Sequence, residues 1–115
     1  MPAPDPRVRW NALRSPGPVE GVTAAITHGA SLSAALYHLE PGTEVPEHAH
    51  DNEEFGQVIS GSLELRLRDA TTLLREGEAF LLPGGVPHGA RAGPDGCELL
   101  ECYAPPRIPK SEGVS

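Results

Sequence analysis

Residues that reverse or bend a backbone recur through this chain at intervals too short for helices to fit between them. They stand at Pro41-Gly42, Asp51-Asn52, Ser60-Gly61, Asp69-Ala70, Glu76-Gly77, Pro83-Gly84-Gly85 and Gly93-Pro94-Asp95-Gly96. Most supply positive φ, fixed φ or a side chain that bonds its own backbone. Between them lie short segments of strand character: GVTAAIT from 21, SLSAALYHL from 31, VPEHAH from 45, FGQVIS from 55, SLELRLR from 62, TTLLR from 71, EAFLLP from 78, GVPHGARA from 85 and CELLECYA from 97. Parallel βαβ units need helices of about a dozen residues between strands, so the spacing predicts an all-β sandwich or barrel of about eight or nine short strands. The 13 Gly and 13 Pro together approach a composition typical of disorder, but their clustering between strands assigns them to turns.

SLELRLR shows the alternation most clearly, with Leu63, Leu65 and Leu67 facing a core and Glu64, Arg66 and Arg68 facing water. Residues 1–20 carry prolines, Trp10 and no periodic pattern. They read as an extended arm whose Trp10 and Leu13 dock on the body or on a partner subunit. Residues 21–108 then form one domain and 109–115 a tail. The net charge of −7, from 9 Lys+Arg against 16 Asp+Glu, repels nucleic acid and anionic membranes. No apolar stretch has the length of a signal peptide or of a membrane span, so a cytoplasmic protein is expected. Cys97 and Cys102 are five apart, which on a strand puts them on opposite faces roughly 16 Å apart. A disulfide spans at most about 7 Å between Cα atoms, so both are expected as free thiols.

The chemistry concentrates in EHAHDNEEF and PGGVPHG. His48 and His50 are two apart, which on a strand aims both imidazoles to one side and lets them share a metal. A straight strand would carry Glu54 roughly 20 Å from His48, so the chain must bend, and Asp51-Asn52 supplies the bend. His88 follows His50 by 38 residues and could return beside it on an adjacent strand. His28 and His38 read as hydrogen-bonded or surface histidines. On CELLECYA, Leu99, Glu101 and Tyr103 share one face, so an acid and a phenol alternate with an apolar residue.

These residues fall in a recognisable pattern. GTEVPEHAHDNEEFGQVISG spaces Gly42, His48, His50, Glu54 and Gly61 as the first motif of the cupin superfamily does. GEAFLLPGGVPH spaces Gly77, Pro83, Gly85 and His88 as the second does. The chain resembles the cupins from Gly42 to beyond His88, departing only at Ala92, where the second motif ends in Asn. The resemblance implies a double-stranded β-barrel of jelly-roll type, often dimeric. It also implies a divalent transition metal (Zn, Ni, Fe, Mn or Co) bound by His48, His50, Glu54 and His88. The C-terminal ELLECYAPPR looks like the end of small single-domain cupins related to the pectin-degradation protein KdgF, which act on unsaturated uronates. Glu101, Tyr103 and Arg107 match their acid, aromatic and Arg, with Glu for Asp, Tyr for Phe, and Glu54 where that group tends to have Gln.

The implied function is metal-dependent catalysis on a small oxygenated molecule, by isomerase, lyase or cyclase chemistry. Arg107 would hold a carboxylate, and Glu101 or Tyr103 would move a proton. A dioxygenase using the same three His and one Glu, and a ligand-binding cupin without turnover, are the alternatives. Eight Arg against one Lys fits a GC-rich genome. Small cupins of such genomes often resemble polyketide cyclases, so a polyketide-like substrate is a further expectation.

Overall fold

The computed structural model describes residues 4–108. The tail expected over 109–115 lies outside the described residues. A single helical turn, α1 (Trp10–Leu13), precedes eight strands: β1 (Ser15–Pro16), β2 (Val22–His28), β3 (Ser33–Leu39), β4 (Glu44–His48), β5 (Glu53–Leu67), β6 (Ala70–Arg75), β7 (Ala79–Leu82) and β8 (His88–Ala104). Every pairing is antiparallel, and the fold is the all-β double-stranded barrel that the turn spacing and the motifs predict. No helix among the described residues is long and apolar enough to cross a membrane.

Two long strands replace four expected short ones. FGQVIS and SLELRLR are one strand, β5, and GVPHGARA and CELLECYA are joined from His88 onward as β8. Ser60-Gly61 and Gly93–Gly96 therefore bend the chain without reversing it. In one wall, β2, β3, the second half of β8, the first half of β5, and β7 lie side by side. In the other, β4, the first half of β8, the second half of β5, and β6 do so. The inward-facing set changes parity at each bend. Glu54 and Val58 are buried in the first half of β5, then Leu63 and Leu65; Ala90 and Ala92 are buried in β8, then Cys97, Leu99, Glu101 and Tyr103. Each switch is a bulge, recorded as a register shift between Val58 and Ser60 and between Gly61 and Leu63. Gly61 and Gly96 have φ of 78° and 79°. A Cβ on Gly61 would lie 2.0 Å from the Gly96 carbonyl oxygen, so the two strands touch backbone to backbone there.

The core joins Val22, Leu39, Val58, Leu63, Leu65, Leu74, Ala90, Ala92, Cys97 and Leu99. Each fully buried Leu or Val contributes about 1.5–3 kcal/mol relative to exposure. Leu63 and Leu65 are buried, as the alternation predicts, and Arg66 pairs with Glu44 at 2.6 Å on the exposed side. Cys97 and Cys102 are free. The arm is not wholly extended: α1 forms a turn packed against β2, where Trp10 is half-buried and Leu13 stays exposed. A single turn carries too few residues for a helical period to register in the sequence.

Candidate metal centre and its cavity

The end of β4, the bend after it, and the starts of β5 and β8 converge at one end of the barrel. His48 of β4 is the register partner of His88 of β8. His50 sits in the bend and Glu54 enters on β5. The bend is held from three sides: Gly85 N–H donates to the His50 carbonyl at 2.7 Å, Asn52 Nδ2 donates to the Pro105 carbonyl at 2.6 Å, and Gly84 packs against the Asp51 backbone. Asp51-Asn52 thus turns the chain as the sequence requires, seated against the Pro83-Gly84-Gly85 corner. Ring centroids lie 4.4 Å apart for His48 and His88, 5.3 Å for His50 and His88, and 5.9 Å for His48 and His50. One nitrogen from each ring falls within 4.8 Å of the others.

Hydrogen bonding orients two of these rings. His48 Nδ1 lies 2.9 Å from the Pro46 carbonyl and His88 Nδ1 lies 2.9 Å from the Val86 carbonyl. A carbonyl only accepts, so each Nδ1 carries the proton and each Nε2 presents a lone pair. His88 Nε2 is buried without a hydrogen-bond partner among the described residues, as is His50 Nδ1. Glu54 Oε1 is 2.8 Å from His50 Nε2 and 3.4 Å from His88 Nε2. Two donors bonded to one ion at right angles would stand about 3 Å apart. The three imidazoles so disposed fit a divalent transition metal, with the Glu54 carboxylate beside two of them.

Burial acts to raise the Glu54 pKa, but the adjacent His88 and His50 imidazoles and Glu101 outweigh it and hold the carboxylate below its ordinary range. The neighbouring Glu54 carboxylate raises His88, whereas burial lowers His50.

Beside the imidazoles runs a chain of polar groups. Glu101 is buried, and burial together with the Glu54 charge pushes its pKa well up. The Tyr103 hydroxyl donates to Glu101. Tyr37 Oη is 2.7 Å from Tyr103 Oη, and because Tyr103 has spent its proton, Tyr37 must be the donor there. Burial raises the Tyr37 pKa to about 12. The Arg107 guanidinium lies 5.8 Å from the centre of the Tyr103 ring, and its backbone N–H donates to Ser33 Oγ at 2.9 Å.

All seven residues singled out by sequence, His48, His50, Glu54, His88, Glu101, Tyr103 and Arg107, are gathered around this point. All but Glu54 line a cavity of about 340 Å³. Glu54 closes against His50 and His88. Tyr37 and Phe80 also line it and escaped the sequence reading. The available signal for Tyr37 was a phenol on the same strand face as Ser33 and Leu39. Phe80 occupies the space over Gly56, where a Cβ would lie 2.2 Å from its ring. His28 bonds Ser33 Oγ at 2.6 Å and His38 bonds Glu98 at 2.9 Å; neither joins the cluster.

Comparison with known proteins gives a consistent picture. The domain family described as "Cupin domain" matches residues 35–103. The H2HPP isomerase of Bacillus subtilis is 33% identical over 91 residues, covering 76% of this chain and only 35% of the isomerase. Among solved structures, KdgF from Halomonas sp. superposes with a TM-score of 0.75 at 26% identity, over 80% of this chain and 86% of that one. The polyketide cyclase RemF from Streptomyces resistomycificus gives 0.77 at 25% identity, over 90% of this chain and 81% of its own.

Proposed function

The chain belongs to the cupin family, and from that premise we propose that it is a metal-dependent enzyme that moves a proton on a small oxygenated organic substrate. The observation that carries the reading is the placement of Glu101, buried beside the cluster of His48, His50, His88 and Glu54 and facing the same cavity. A bound divalent metal supplies Lewis acidity toward a carbonyl, enol or hydroxyl oxygen. Glu101 holds a proton in the cavity wall, where it can be delivered to a substrate atom and recovered from another. Tyr103 fixes the orientation of that carboxyl, and Tyr37 fixes Tyr103. Arg107, stacked near the Tyr103 ring, offers a planar fork to a substrate carboxylate. The apolar walls exclude bulk water from the transfer. Isomerisation, elimination and cyclisation all consist of such proton shifts, in keeping with the isomerase and cyclase among the relatives.

Metal analysis of purified protein tests the reading. About one divalent metal per chain is expected, with most of it lost in His48→Ala and His88→Ala and all of it kept in Glu101→Gln. Full metal content in both histidine variants refutes the ligand set. Oxygen uptake during turnover would replace the proton-transfer reading with the dioxygenase one. A homodimer, as the family resemblance implies, is part of the proposal; a monomer in sedimentation velocity at working concentration removes it.

A further inference from the structure

The distribution of polar groups around the cavity restricts what can occupy it. At one end stand His48, His50, His88, Glu101, Tyr103 and Arg107, and the exposed Glu47 also borders the cavity; the buried part of the wall is built mainly of Val22, Leu39, Val45, Leu63, Leu65, Phe80, Ala90 and Leu99, with Tyr37 turned to bond Tyr103. Most of these apolar residues belong to the barrel core. The inner wall therefore has almost no side chain able to receive a hydroxyl.

Resting on the metal-dependent reading above, we infer that the substrate is a carboxylate carried on an apolar or aromatic body of one or two rings, and that a polyhydroxylated sugar acid is excluded. A sugar ring bears hydroxyls around its whole perimeter. With its carboxylate on Arg107, its far hydroxyls would press on Leu63, Leu65 and Leu99 unpaired, each losing its bonds to water without replacement. A hydrocarbon ring in the same place loses nothing polar and gains apolar burial. Phe80, held over the gap left by Gly56, offers a ring face or edge to an aromatic body. The volume of about 340 Å³ lies at the small end of ligand cavities, which limits the body to one or two rings. Chain elements fix this division. The strand halves bearing Leu63 and Leu65 lie beyond the bulge at Gly61, whereas Glu54 enters before it.

The test titrates 3-phenylpropanoate and D-galacturonate into the zinc-loaded protein by calorimetry at several temperatures, with zinc content measured on the same samples. Phenylpropanoate should bind at least tenfold more tightly than galacturonate and with a negative heat-capacity change, the mark of apolar burial. Val45→Thr, which keeps the side-chain shape and adds a hydroxyl to the wall, should weaken phenylpropanoate about fivefold and leave zinc content unchanged. Galacturonate binding as tightly as phenylpropanoate, absence of phenylpropanoate binding in fully zinc-loaded protein, or equal affinity in Val45→Thr would each overturn the inference while leaving the metal reading intact. Phenylpropanoate binding in protein that takes up no zinc would support the inference and remove the metal reading instead. Loss of both zinc and binding would refute both.

Discussion

Ser33 is fully enclosed, yet it joins three parts of the molecule. Its Oγ accepts the Arg107 backbone N–H at 2.9 Å and is hydrogen-bonded with His28 Nδ1 at 2.6 Å. Ser33→Ala removes the oxygen with almost no change in volume, so no cavity contribution is expected. The Arg107 N–H is left without its partner, at a cost of about 1–3 kcal/mol for a donor screened from water. His28 is exposed and regains its bond from solvent, so that half of the interaction costs little. For 115 residues, at about 2.1 cal/mol/K of unfolding entropy each, 1 kcal/mol moves the melting temperature by roughly 4 °C. Ser33→Ala should therefore melt about 4–12 °C below the parent in a circular-dichroism scan, and His28→Ala within about 2 °C of it. Because the lost bond holds the backbone of the proposed carboxylate anchor, Ser33→Ala should also weaken 3-phenylpropanoate while retaining metal. An unchanged melting temperature, or an equal drop in His28→Ala, would show that the Arg107 segment is fixed by other contacts.

Other consequences are equally accessible. A Cβ at Gly84 would lie 2.1 Å from the Asp51 backbone oxygen, so Gly84→Ala must displace the bend bearing His50; metal affinity should fall at least tenfold by chelator competition, and an unchanged value contradicts the role given to that corner. Burial raises both Cys97 and Tyr37 to about 12, from 9.0 and 10.0. Above pH 9 the folded state thus holds protons that the unfolded state releases. Stability should decline by about 1.4 kcal/mol per pH unit for each group in its window, from about 9 to 12 for Cys97 and 10 to 12 for Tyr37. Urea titrations at pH 8, 9.5 and 10.5 that give one stability would refute this. The apolar core does not pass through the imidazole cluster, so chelated protein should still melt cooperatively. Bound metal should add only the linkage contribution, about 2.7 kcal/mol at a hundredfold excess over Kd; an unfolded spectrum after chelation would be the contrary result.

What could be read from the sequence divides along physical lines. Alternation in SLELRLR is a local property of a strand, and the structure keeps it; His48 and His50 do meet, although His50 lies in the bend after β4 rather than on the strand. The bends at Gly61 and Gly93–Gly96 looked like reversals because a bulge and a hairpin both call for glycine at positive φ. Composition reports the dihedral, not the direction in which the chain leaves it. Tyr37 and Tyr103 meet across 66 residues, and the pKa of Glu101 is raised by its burial and by Glu54, which arrives beside it from another strand. Such pairings arise from strand register, which no single segment encodes.

Gly93-Pro94-Asp95-Gly96 has the composition of a surface loop, the kind of place where added or missing residues are usually harmless. Its position inside β8 makes its length a coded quantity. His88, Ala90 and Ala92 face inward before it, and Cys97, Leu99, Glu101 and Tyr103 after it, so the four residues absorb a change of parity between two inward-facing sets. One inserted residue would turn Leu100 and Cys102 into the barrel and carry Glu101 and Tyr103 to its outside, while leaving His88 in place. A two-residue insertion would restore the facing at the cost of the contacts that Gly93 makes with Ser62 and Gly96 with Leu39. Substitution at the exposed Pro94 and Asp95 should be freely tolerated there, and a change of length should not.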